Sequence, residues 1–212
     1  MKKFELTAES KIFAGKKLFR IKALISFGDV EEGELGGFVE KEENLSDEGN
    51  AWVSDNAWVF GNARVSDNAL VFGNARVSVN ARVSGNARVS DNAWVSGNAW
   101  VSGNARVFGN ARVCDNARVF GNARVSDARV CGDAWVFDNF DYATVRGFGS
   151  EYRTTTFFRT KAGDIGVRCG CFYGTLEEFR AKVKETHGET KTAKEYLMVA
   201  DLMEFRFSKE EA

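Results

Sequence analysis

Residue types able to do acid–base or nucleophilic chemistry are scarce in this 212-residue chain: one histidine, His187, and four cysteines, Cys114, Cys131, Cys169 and Cys171. General acid–base work at neutral pH needs a group that titrates nearby, and His187 is the one such side chain. It stands in Lys184-Glu185-Thr186-His187-Gly188, the composition of a helix end, where a basic ring complements the dipole and glycine closes the last turn. Cys169-Gly170-Cys171 places two thiols on one face of a strand, and without a second pair it under-supplies a zinc site. Arginine and tryptophan are different, because they recur at fixed spacing. Their pattern suits stacking and anion recognition better than bond-breaking.

The spacing comes from a repeat. From Ala51 to Asp127 the chain reads Asn-Ala-x-Val-x-x every six residues, with the first variable position filled by Trp, Arg or Leu. Val53 through Val125 recur without slippage, each with Ala two residues before it. After Asp127 the phase stumbles: the turn Asn is missing before Ala128, and Asn139–Tyr142 carries an insertion. Six is not a helical period. Ala and Val two apart face one side of an extended strand, and the residues between them face the other. The Gly-Asn or Asp-Asn pair that follows supplies positive φ, so the chain turns there. The chain has no proline, as expected where interior strands bond on both sides and proline would remove ladder bonds.

Tandem hexads of this kind resemble the left-handed parallel β-helix of the hexapeptide-repeat superfamily, in which three hexads make one 18-residue triangular coil. The resemblance implies a mainly β fold of five to six coils, with the flanking imperfect hexads at Gly37–Val39 and Ala128–Val145 included. Three parts are expected: an N-terminal β cap over 1–35, the β-helix over 36–147, and a C-terminal α+β unit over 148–212. In the cap, Phe4–Thr7 and Leu18–Phe27 read as strands around Ala14-Gly15-Lys16. In the C-terminal unit, Thr154–Phe158 and Ile165–Cys169 flank the turn Ala162-Gly163-Asp164. Thr175 opens a helix with Glu178 at the capping-box position, and Gly188 follows its end. A second helix over Thr192–Phe205 puts Tyr196, Val199, Ala200 and Met203 on one side.

With an 18-residue coil, the outward residues fall into three columns. The first is Trp52, Leu70, Arg88, Arg106 and Arg124; the second is Trp58, Arg76, Trp94, Arg112 and, after the deletion, Arg129. The third is Arg64, Arg82, Trp100, Arg118 and Trp135. All five tryptophans lie on these columns with nine arginines, and Phe60, Phe72, Phe108, Phe120 and Phe137 stand beside them. The candidate binding residues are Trp52, Trp58, Arg76, Arg88, Trp94, Trp100, Arg106, Arg112, Arg118, Arg124, Arg129 and Trp135. In the shifted register Cys114 and Cys131 take the same outward position on successive coils, which puts their Cα atoms about 5 Å apart, within disulfide range. Few cysteines and no signal-peptide pattern predict an intracellular chain, so free thiols are the expectation.

Three readings of the columns are open. Arg and Trp can simply fill solvent positions, with guanidiniums stacked over indoles. They can form a surface for a phosphate-bearing ligand, nucleic acid or acidic protein, a reading that Asp at the neighbouring turns weakens for nucleic acid. Or exposed tryptophans can drive self-association. Charge is segregated beneath a net −1: residues 29–48 hold nine acidic and one basic side chain, and residues 49–137 hold nine Arg and six Asp. The first segment reads as a solvated acidic collar or a partner site, the second as a modestly basic prism.

Acyltransferases of the hexapeptide-repeat superfamily use a His projecting at a trimer boundary and a loop extruded from one coil. Here the coils carry neither, which speaks against that activity. Leu18-Phe19-Arg20-Ile21-Lys22-Ala23-Leu24-Ile25-Ser26-Phe27, then Gly36-Gly37-Phe38-Val39, Asn44-Leu45-Ser46 and the Asn-Ala-Trp-Val hexads, resemble a family of phage- and prophage-associated hexapeptide-repeat proteins. Some of its members are called transferases on the repeat alone. That resemblance implies a phage-encoded protein in the host cytoplasm and a non-catalytic binding or scaffold role, including antagonism of host defence. The residues themselves lead to the remaining expectations: a host protein or phosphate-bearing ligand as partner of the columns, a homo-oligomer (dimer or trimer), no cofactor, no metal and, with no apolar run of about 18 residues, no membrane. The alternatives are nucleotide or nucleic-acid binding by the Arg columns, and acyl transfer.

Overall fold

The computed structural model describes residues 2–208. Fifteen short rungs between Trp52 and Val136 fall into three parallel sheets, five rungs to each, and the chain passes from one sheet to the next at every Gly-Asn or Asp-Asn corner. The first face stacks Trp52, Leu70, Arg88, Arg106 and Arg124 in register. The second stacks Trp58, Arg76, Trp94, Arg112 and Arg129, and the third stacks Arg64, Arg82, Trp100, Arg118 and Trp135. All three columns are those expected from the sequence. Leu35–Val39 adds a sixth parallel strand to the second face, and Leu45 bridges Val65 on the third, which brings the solenoid to the expected five to six coils.

Alternation explains why the prism holds. Every repeat Ala and Val, from Ala51 and Val53 to Ala134 and Val136, is buried in one continuous core. Each Val contributes roughly 1.5–3 kcal/mol of apolar burial. The outward residues are free to be polar because they touch only their vertical neighbours and solvent. Corners are stitched by a second ladder: Asn62, Asn80, Asn98 and Asn116 pass side-chain amide hydrogen bonds down to Asp133. Asn68, Asn86, Asn104 and Asn122 form another such ladder.

The corner before each Asn explains why the sequence alternates Asp and Gly there. Asp55 accepts from the Gly73 amide, Asp67 from Gly85, Asp91 from Gly109 and Asp115 from Gly132, each on the next coil. These aspartates hold positive φ, which Asp tolerates better than most residues. The residue below must be Gly where space closes: a Cβ on Gly97 would lie 2.7 Å from the Asp115 amide nitrogen. Val79 breaks the pattern. It takes φ +65 with no side-chain oxygen to offer Gly97, an outlier for a β-branched residue.

The N-terminal strands β1 (Phe4–Phe13) and β2 (Lys16–Ala23) form a hairpin turning at Ala14-Gly15, and β2 pairs antiparallel with β3 (Leu35–Val39). The hairpin therefore prolongs the second face as well as closing the top of the prism. β1 runs on to Phe13, beyond the expected end at Thr7, because Lys11, Ile12 and Phe13 pair with Leu18, Lys17 and Lys16. Buried Lys3 sits over the Phe27 ring at 4.8 Å and donates to the Gly49 carbonyl. Burial pushes its pKa down to about 8 against the pull of Asp47.

The C-terminal unit is a four-stranded antiparallel sheet of β4 (Tyr142–Val145), β5 (Thr155–Arg159), β6 (Ile165–Cys169) and β7 (Phe172–Thr175), backed by α1 (Leu176–His187) and α2 (Lys191–Phe207). The imperfect hexad expected to run to Val145 ends sooner. Tyr142–Val145 pairs with β5, since the Asn139–Tyr142 insertion carries the chain out of the coil path. Thr175 and Glu178 form the expected capping box. Tyr196, Ala200 and Met203 pack with Phe157, Val167 and Phe179. This sheet covers the lower end of the solenoid: Ala134 bridges Thr160, the Arg129 amide donates to Thr156 Oγ1, and Tyr142 Oη donates to the Arg124 carbonyl.

Candidate functional site

The three columns begin as equivalent positions on equivalent rungs, and their side chains make them unequal. On the second and third faces guanidiniums sit over indoles. Arg76 lies 4.7 Å from the Trp58 ring, 5.1 Å from Phe13 and 6.0 Å from Trp94; Arg112 lies 5.7 Å from Trp94. Arg118 is held between Trp100 at 5.5 Å and Trp135 at 5.1 Å. The indoles are fixed in turn, with Trp94 Nε1 donating to Ser78 Oγ and Trp100 Nε1 to Ser84 Oγ. Sequence reasoning missed these serines. Their signal was positional: each precedes its Trp by sixteen residues, nearly one coil.

The first face has no such arrangement. Arg88, Arg106 and Arg124 occupy three successive rungs, all exposed, and among the described residues none of their guanidiniums stacks over an aromatic ring, although Tyr142 binds the Arg124 carbonyl. At about 4.8 Å between rungs, neighbouring guanidiniums repel by roughly 0.8 kcal/mol in water.

Among the described residues none of the nine column arginines is in an ion pair, although Arg20, Arg153, Arg159 and Arg180 are. The turn aspartates form no ion pair with the column arginines among the described residues. Those at 55, 67, 91 and 115 are bound to glycine amides, and Asp127 accepts from the Asn110 amide and side chain, which holds its carboxyl below the usual range. Hydrogen bonds from neutral amides leave these carboxylates charged, so they still lower the positive potential around the columns.

Two expectations change. The tryptophans are not five exposed apolar rings: Trp52 is only 3% exposed, roofed by Phe27, Trp58 is half-buried beneath Phe13, and Trp135 is half-buried against Phe120. The N-terminal hairpin and the C-terminal end cover what the hexads alone leave open, so Trp52 has no surface to bind with and Trp58 little. Trp100, at 38% exposure, is the most open of the five. Second, Cys114 and Cys131 are not free thiols but a disulfide, their Cα atoms 4.6 Å apart. The shifted register after Asp127 places them as expected, and adjacency on successive coils brings the sulfurs within bonding reach. Cys169 and Cys171 remain free. His187 stacks on Tyr196 at 5.6 Å at the end of α1, away from the columns in the fold.

Three more arginines, Arg146, Arg153 and Arg168, join Arg112 and Arg129 around a cavity of about 800 Å³ between the last coils and the C-terminal sheet. These three lie outside the repeat and carried no periodic signal. Burial and the positive charges of Arg112, Arg168 and Arg153 push the Arg129 pKa below the ordinary arginine value.

The repeat itself has known counterparts. Four windows of the chain, 63–79, 81–97, 99–115 and 111–127, match the YdcK β-solenoid repeat. The first three begin 18 residues apart, one coil of the prism. The chain is thus a β-solenoid repeat protein by sequence similarity as well as by architecture. No curated protein matches the chain. Among the described residues no helix is long and apolar enough to cross a membrane.

Proposed function

We propose that this protein is a non-catalytic binding scaffold whose solenoid presents its arginine columns to an acidic protein surface, with the first face as the principal contact. One observation carries the reading: Arg88, Arg106 and Arg124 form a contiguous exposed ladder whose guanidiniums have neither an ion pair nor a ring stacked on them among the described residues. A rung spacing of about 4.8 Å approximates the 5–6 Å between i and i+4 side chains on a helix. A row of Glu on a partner helix can therefore meet successive guanidiniums in charge-assisted pairs. Rigidity favours the contact further, since the hydrogen-bonded rungs leave the ladder little backbone freedom to lose on binding.

The test is fluorescence anisotropy with a labelled helical peptide carrying Glu at i, i+4 and i+8, set against single-stranded DNA of equal length. Saturable peptide binding that weakens with salt and is lost in Arg88→Glu/Arg106→Glu supports the reading. Tighter binding of the DNA, with a steep salt slope removed by the same variant, replaces the acidic protein by nucleic acid. No binding of either at low salt overturns it.

A further inference from the structure

Beyond the first face, the arginine-lined cavity has features of a site for a small ligand. It is an open recess lined by Arg112 and Arg129 from the second face, Arg146 after β4, Arg153 and Tyr152 from the loop before β5, and Arg168 near the end of β6. Separate segments of the chain thus bring five guanidiniums to one place. The opposing charges are few. Asp127 is engaged by Asn110, and Glu151 lies 3.4 Å from Arg153. Counting all seven groups leaves the cavity at +3.

Like charges gathered in a partly desolvated recess repel, and the lowered Arg129 pKa reflects that field. Arg168 Nε is sealed from solvent with no hydrogen-bond partner among the described residues, a costly state for a buried donor. Tyr152 takes φ +50 and is 71% exposed, so its ring borders the cavity from a backbone conformation rare for such a residue.

We propose that this cavity binds an oligophosphate, a ligand bearing two or more linked phosphate groups. The volume suits a small molecule. Phosphate oxygens accept bidentate pairs from the arginine fork, linked phosphates can engage several guanidiniums at once, and three to four negative charges balance the cavity. The same chemistry comes from inorganic oligophosphate or from a nucleotide, which Tyr152 distinguishes because a base can stack on its ring and a bare phosphate chain cannot.

The experiment is isothermal titration of the full-length protein with inorganic tripolyphosphate, adenosine triphosphate and adenosine. Tripolyphosphate is expected to bind in the micromolar range, weakening with salt, and Arg129→Gln and Arg168→Gln are each expected to lower its affinity tenfold or more. Because Arg168 is part of a strand, Arg153→Gln on the loop provides a second variant with little risk to folding. Circular dichroism confirms that each variant is intact. If Tyr152→Ala weakens adenosine triphosphate alone, the ligand is a nucleotide. If it affects neither ligand, the ligand is the bare oligophosphate. Absence of saturable tripolyphosphate binding at millimolar concentration overturns the proposal, as does affinity that survives all three cavity variants. Arg106→Gln on the first face is expected to change tripolyphosphate affinity less than twofold. A loss there would mean that the anion binds the ladder instead, so this site and the scaffold reading can fail separately.

Discussion

Arg106 and Arg118 occupy the same outward position of two different hexads, on rungs of two different faces. Arg118 lies between two indoles, where its charge is offset by ring quadrupoles. Arg106 lies between Arg88 and Arg124, where among the described residues it has neither an ion pair nor a stacked ring. Position in the repeat fixes where a side chain points, and the residue one coil away fixes whether its charge is satisfied. Where Trp stands above or below an Arg, as at Arg76 and Arg118, the charge is met within the column, whereas successive Arg, as at 88, 106 and 124 and again at 64 and 82, are left open to an external anion.

The contrast can be broken most sharply by charge reversal. Arg88→Glu/Arg106→Glu is expected to lower affinity for the acidic helical peptide by about 100-fold, the loss of two charge-assisted contacts and the gain of two repulsions. Arg118→Glu on the third face should lower it less than about fivefold. Equal losses on both faces would erase the distinction. A smaller but still large effect should come from Cys114→Ser/Cys131→Ser. The pair ties coils of the second face across seventeen residues, and its loss should reduce unfolding free energy by roughly 3 kcal/mol in denaturant titration. An unchanged midpoint would mean that the thiols do not cross-link in solution.

Stability separates the two arginines next. Arg118→Gln should destabilise by about 0.5–1 kcal/mol through lost stacking, while Arg106→Gln should be neutral or stabilising by a few tenths, as repulsion is relieved. Paired denaturation curves check this, and a destabilised Arg106→Gln would show that the bare ladder is internally compensated. Finally, Val79→Asp supplies the carboxylate that the corner lacks and relieves a β-branched residue at positive φ. A gain of about 1 kcal/mol is expected, whereas Val79→Leu should not stabilise.

Much of the fold could be read directly because the repeat is so regular. Ala and Val two apart give strand and core face together, the Asn corners give the turns, and one deleted residue after Asp127 shifts the columns by a known amount. Thr175 and Glu178 announce a capping box three residues apart. The misreadings share a cause. Burial of Trp52 and Trp58, the destination of Tyr142–Val145, and the gathering of Arg146, Arg153 and Arg168 all depend on contacts between segments with no common period. The bond from each of four corner aspartates to the glycine amide one coil below was not read from the sequence either. The alternation of Asp with Gly eighteen residues on was the visible trace of that bond.

The sequence by itself determined a prism of stacked hexads, its core, its corners and the membership of its three columns, because a strict period turns local conformation into global position. Tertiary structure alone decided which columns remain open, that the adjacent Cys114 and Cys131 join, and where unrelated arginines converge. Those outcomes are set by the capping elements, whose docking follows from packing at the two ends of the prism and from no repeat within it.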